Sequence, residues 1–105
     1  MSEPSASPVP YKVVYSERVR DELKKLMAKA AAAGLGQQAL DALKQIDHRL
    51  RVYPQFGEPL RDMQAVGETL WAGTVTPLVV EYVIDNERRS VFVVAPLKAL
   101  PKAGF

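Results

Sequence analysis

The side chains that could do chemistry in this chain are few and scattered. A single histidine, His48, sits between Asp47 and Arg49, with Arg51 close behind. Acid–base catalysis usually pairs such an imidazole with a carboxylate, serine or cysteine at a recognisable spacing. No such spacing is present, so a surface or half-buried structural role is the plainer expectation for His48. Metal sites need several His, Cys, Asp or Glu ligands at short intervals. None is spaced that way, and no metal or cofactor is expected. Glycine-rich phosphate loops of the GxGxxG or GxxxxGK type are also missing. Arg61, in EPLRDM, is either a surface ion pair with its neighbour Asp62 or a cation at the mouth of a binding face. Lys98 and Lys102 are interleaved with Pro96 and Pro101 and could hold a phosphate as point charges.

Glu81 is the discordant residue. It lies within PLVVEYVIDNERRSVFVVAP, in the middle of a run of valines and a tyrosine. Strand side chains alternate between faces, so residues 78, 80, 82 and 84 point one way and 79, 81 and 83 the other. The first set (Leu, Val, Tyr, Ile) suits a covered face. Glu81 should therefore project from the opposite, open face, where its carboxylate would repel an incoming phosphate backbone. Two uses remain for it: a general base, or a partner for a cation on a neighbouring strand or a bound protein.

The elements that must position these residues can be read from the pattern. Tyr11 to Tyr15, YKVVY, is a β-rich run entered from Pro10. Ser16 stands where a helix N-cap should, with Glu17, Asp21 and Glu22 early in the following helix. Val19, Leu23, Leu26, Met27 and Ala30 form one helical face. Gly34 and Gly36 end that helix. A second helix runs from about Gln37 to Val52, with Leu40, Leu43, Ile46 and Leu50 as its stripe and Pro54 as its stop. A loop containing Gly57, Pro59 and Gly67 follows. Three β-rich runs close the chain, at about residues 69–75, 78–84 and 90–95, and DNERR between the last two signals an antiparallel hairpin. The expected fold is α+β, in β-α-α-β-β-β order: a small antiparallel sheet with a two-helix hairpin on one face. Residues 1–10 are expected to be a disordered leader and residues 11–105 a single domain.

Composition narrows the functional classes. At 105 residues the chain is long enough for a hydrophobic core without crosslinks. It has no cysteine, which fits a cytoplasmic location and excludes thiolate chemistry. No apolar run approaches the roughly 20 residues of a membrane helix. Fourteen Lys and Arg against twelve Asp and Glu give a net charge of only +2, low for a dedicated nucleic-acid binder. The end of the chain is different: residues 88–105 carry Arg88, Arg89, Lys98 and Lys102 and no acid.

Three segments in this order, YKVVYSERVRDELKKL, ALDALKQIDHRLRVYPQFGEPLRDM and LVVEYVIDNERRSVFVV, resemble the RelE/ParE superfamily of type II toxin–antitoxin toxins, the plasmid stabilisation family. The resemblance runs from Tyr11 to Phe105. It implies a small curved sheet backed by two helices and an antitoxin that wraps the toxin. RelE-type members are ribosome-dependent mRNA nucleases that use cations on the open sheet face, one after the last strand, and often a terminal tyrosine or histidine. Here LWAGTV carries no arginine, PLVVEYV has valine and glutamate, and Phe105 has no hydroxyl. Lys98 falls near the expected cationic position, and Tyr82 matches the family's hairpin tyrosine but should face the core.

Three readings follow. The first is a toxin-like protein that binds a protein target, as the ParE branch does DNA gyrase, with Glu81, Trp71, Phe92, Arg51, Arg88, Arg89 and Lys102 as contact candidates. The second is an endoribonuclease acting on ribosome-bound mRNA through a rearranged site of Arg61, Lys98 and either His48 or Arg51. The third is a non-toxic binding module. Val79, Val83 and Val94 on the uncovered face suggest that a partner covers it: an antitoxin, a second copy in a homodimer, or the leader.

Overall fold

A computed structural model of the protein describes residues 9–63 and 68–105, without the side chains of residues 61–63 and 68. The first eight residues of the expected leader and Gly67 lie outside the described residues, as does the side chain of Arg61.

The chain opens with β1 (Lys12–Tyr15) and passes directly into α1 (Glu17–Ala32). Ser16 caps that helix as its position suggested: the Val19 amide donates to Ser16 Oγ at 3.1 Å. At the other end, Gly34 adopts φ +77°. Its amide bonds to Ala31 O, and the Leu35 amide reaches back to Ala30 O. This pair of bonds is a Schellman closure, and a residue with a Cβ would be strained at its left-handed position. The antiparallel α2 (Gly36–Val52) follows, then a single 3-10 turn, Pro54–Phe56.

Four strands complete the main sheet: β2 (Glu58–Met63), β3 (Glu68–Val75), β4 (Leu78–Asp85) and β5 (Ser90–Val93). A short β6 (Lys98–Ala99) pairs with the start of β4 where β5 has ended. The strand order is β1-β5-β4-β3-β2. Three features depart from expectation. β1 runs parallel to β5, so the sheet is mixed and not purely antiparallel. The segment expected as a loop is strand β2, which tolerates Pro59 because it is an edge strand and carries an irregularity between Pro59 and Arg61. The last long strand stops at Val93, two residues early, because β6 takes its place beside β4.

Both helices lie on one face of the sheet. The core joins Val19, Ala42, Ile46 and Leu50 of the helices to Leu78, Val80 and Tyr82 of β4 and to Val91 and Val93 of β5. In α2 the buried line is Ala39, Ala42, Ile46 and Leu50, not the expected one through Leu40 and Leu43. Leu40 is exposed and Leu43 half-buried. The alanines let the helix approach its neighbours closely, which rotates both leucines away from the sheet.

Tyr82 anchors this layer. It is fully buried, its hydroxyl donates to Pro54 O, and its ring stacks near Phe56 and Trp71, at 6.0 and 6.5 Å between centroids. Burial pushes its phenol up to about 12, against a Gly57 backbone contact that pulls the other way. Glycine is required nearby. A Cβ at Gly57 would lie 2.5 Å from Ala72 O, and one at Gly73 would lie 2.4 Å from the Phe56 ring.

Candidate functional site

The open face of the sheet is the natural place to look for a site, since side chains of directly paired residues share a face. Its rows can be read from the strand register. Thr74, Val79 and Lys98 form one row across β3, β4 and β6. The next row crosses β2, β3 and β4 as Glu58, Ala72 and Glu81. Beyond it lie Leu70, Val83, Phe92 and Val14. Glu81 therefore projects where alternation placed it, half-buried near the centre of this face. Glu58, exposed on β2, adds a second carboxylate with only a methyl group between them. Among the described residues neither acid has an ion-pair partner.

This centre is electrostatically unsuited to a phosphodiester. At an effective dielectric of about 20, one carboxylate and one phosphate about 6 Å apart repel by about 3 kcal/mol. Lys98 is exposed and pairs with Val79, two residues along β4 from Glu81, so it stands at the rim of this face. The apolar row is less open than expected. Val79 is half-buried and Val94 exposed, but Val83 is only 3% exposed. Val83 is paired between Leu70 and Phe92, whose larger side chains flank it on both sides.

Among the described side chains, the other candidates do not assemble into one site. His48 is exposed on α2, on the helix side of the sheet, whereas Lys98 is on the opposite side. Arg61 is placed by backbone only, opposite Leu70 in β3. Trp71 is half-buried on the helix-covered side, opposite Tyr82 in register. Arg88 is largely exposed, 3.8 Å from Asp85 in the β4–β5 turn. Arg89, at φ +47°, is committed to structure: its guanidinium covers the Tyr11 ring at 4.3 Å and donates to Val9 O. Lys102 is exposed beyond β6. Phe105 is half-buried and packs against the core.

One polar cluster was not foreseen. The Tyr15 hydroxyl donates to Asp47 Oδ1 at 2.7 Å, and Arg51 Nε donates to Asp47 Oδ2 at 2.8 Å. Burial, reinforced by the Asp47 hydrogen bond, pushes the Tyr15 phenol well above the usual tyrosine range. Burial also acts to raise the Asp47 carboxyl, but bonds from Arg51 and Tyr15 outweigh it and hold the group below its ordinary value. Its partner is held above its own ordinary value, chiefly by the bond to Asp47. The cluster joins β1 to α2, and Arg51 is taken up by it. A separation of 32 residues leaves no local signal of the Tyr15–Asp47 contact.

Comparison with known proteins adds the fold. No protein-family model matches the chain, and no curated protein matches its sequence. Among solved structures it is similar to the toxin–antitoxin complex RelBE2 from Mycobacterium tuberculosis. The TM-score is 0.51 and the identity 21%, over 87% of this chain and 92% of that one. The chain shares the fold of that structure, two helices packed on a sheet, as its segment order implied. Among the described residues no helix is long and apolar enough to cross a membrane.

Proposed function

We propose that this chain is the toxin-like component of a cytoplasmic type II toxin–antitoxin pair, and that it acts by gripping a protein target and not by cutting RNA. The observation that carries this reading is the central row of the open face, Glu58, Ala72 and Glu81. A RelE-like nuclease would place cations there to offset charge developing on the scissile phosphate. Two carboxylates do the reverse. Protein binding needs only shape and a few anchors, and the half-buried Phe92, Val14 and Val79 beside those acids offer both apolar and charged contacts. DNA gyrase, the target that the ParE branch suggests, is one such protein. The antitoxin partner is supported by the structural neighbour, itself a toxin–antitoxin complex.

Lys98 favours a second reading. Diagonal to Glu81 on the same face, it could offset phosphate charge while Glu81 takes the proton of a ribose hydroxyl. Controlled expression of the chain in a bacterium separates the two. Growth should stop, no new mRNA 5′ ends should appear at codon positions, and co-expression of an antitoxin should restore growth. Codon-positioned cleavage would establish the ribonuclease instead, and uninterrupted growth would leave a non-toxic binding module.

A further inference from the structure

A cavity of about 360 Å³ lies where β1 runs into α1, and three elements wall it: Tyr15 from the end of β1, Arg20 and Leu23 from α1, and Leu43, Lys44 and Asp47 from α2. Small-molecule sites occupy about 300–1,000 Å³, so this one suits a small ligand. Its apolar walls are Tyr15, Leu23 and Leu43. Each is half-buried and packs on the core from one side, so each keeps surface that a ligand could still bury. The polar groups divide into two sets. Asp47 is already engaged: it accepts from the Tyr15 hydroxyl on one carboxylate oxygen and from Arg51 on the other. Arg51 offsets its charge, and Tyr15 is left with its ring to offer. Arg20 and Lys44 are exposed, and among the described residues neither has an ion-pair partner. Arg20 is also steadied, because its Nε donates to Tyr15 O at 3.2 Å. That bond holds the guanidinium beside the cavity and leaves its terminal nitrogens for another acceptor.

We propose that this cavity binds a free, small monocarboxylic acid with an apolar body, such as a medium-chain alkyl acid. The body would lie against Tyr15, Leu23 and Leu43, and the carboxylate would meet Arg20 and Lys44 at the mouth. Burial of the apolar body supplies the affinity, and the two cations choose the sign of the ligand. A cationic amphiphile would meet two like charges and an acid that is already satisfied. A neutral one would bury the same surface but leave both cations without a counter-charge. Inorganic phosphate would find the cations and nothing to do with the apolar walls. The proposal is independent of the acidic sheet face and of toxicity. A chain that binds the acid yet never slows growth would overturn the proposed function and leave this site standing.

The test titrates the full chain with octanoate, octanol and octylamine, probes of equal chain length and different charge. Binding is followed through the methyl resonances of Leu23 and Leu43, with Val79 on the open sheet face as the internal reference. Octanoate should bind saturably, moving Leu23 and Leu43 and leaving Val79 still. Octanol should bind at least about fivefold more weakly, and octylamine should not bind. Lys44→Gln, a change at an exposed helix position, should lower octanoate affinity about threefold. Arg20→Gln/Lys44→Gln should lower it about tenfold or more and erase the preference for octanoate over octanol. Melting curves of both variants, matched to that of the unaltered chain, show that the fold is kept. The proposal is overturned by no saturable shift up to about 3 mM octanoate, or by shifts at Val79 as large as those at Leu43. Octanol binding as tightly as octanoate, or full octanoate affinity in either folded variant, would overturn it as well.

Discussion

The two faces of β4 are built from alternate residues of one strand, yet they obey different rules. Leu78, Val80 and Tyr82 are fully buried against the helices, and each has its contacts satisfied within the chain. Val79 and Glu81, their immediate neighbours, are half-buried on a face that no helix covers. On the covered side even the polar atom is provided for, since the Tyr82 hydroxyl reaches Pro54 O. On the open side a carboxylate stands without an ion-pair partner among the described residues. The first face is explained by stability. The second is better explained by what the protein meets.

That contrast can be broken or sharpened by experiment, starting on the covered side. Tyr82→Ala removes a buried ring, its hydrogen bond and two stacking partners, and should cost about 3–5 kcal/mol in denaturant unfolding. A loss below about 1 kcal/mol would mean that the aromatic cluster is not the anchor. Alkaline titration probes the same residue. Its phenol is raised in the folded state to about 12, so the associated stability is complete below the unfolded value of about 10. It should drain away as pH climbs through about 12, by up to about 3 kcal/mol. Tyr15, shifted in the same direction, adds to the slope. A Tyr15→Phe/Tyr82→Phe variant should show a flatter profile between about pH 10 and 12; an unchanged profile would detach the phenols from alkaline unfolding.

Gly57→Ala comes next. Its Cβ would lie 2.5 Å from the Ala72 carbonyl oxygen, a backbone atom that cannot swing aside, and we expect a loss of about 1–3 kcal/mol. The smallest effect belongs to the open face, where Glu81→Gln should change stability by no more than about 0.5 kcal/mol. A large loss there would show that Glu81 has a structural task and would dissolve the comparison.

Local signals made most of the fold legible in the sequence. Ser16 as cap, Gly34 at the helix end, Pro54 after α2 and the DNERR turn each act within a few residues, so their meaning does not depend on distant partners. The strand β2 was hidden because EPLRDM is polar and contains proline, a composition shared by loops and edge strands. The α2 stripe was misplaced because leucine outweighs alanine in any hydrophobic pattern, whereas close helix packing prefers the smaller residue. For the candidate site, alternation alone placed Glu81 on the open face. Its companion Glu58 depends on the β2–β3 register, and the Tyr15–Asp47–Arg51 cluster on how β1 meets α2. Both are long-range facts that no spacing along the chain encodes.

The most direct test joins the two faces in one protein. Glu81→Arg should be purified and melted beside the unaltered chain, and both should be expressed in a bacterium with growth followed. If the open face is a protein-binding surface, the melting temperatures should agree within a few degrees while the growth arrest caused by the unaltered chain is lost or strongly reduced. Arrest that persists undiminished in a well-folded Glu81→Arg protein would contradict that assignment.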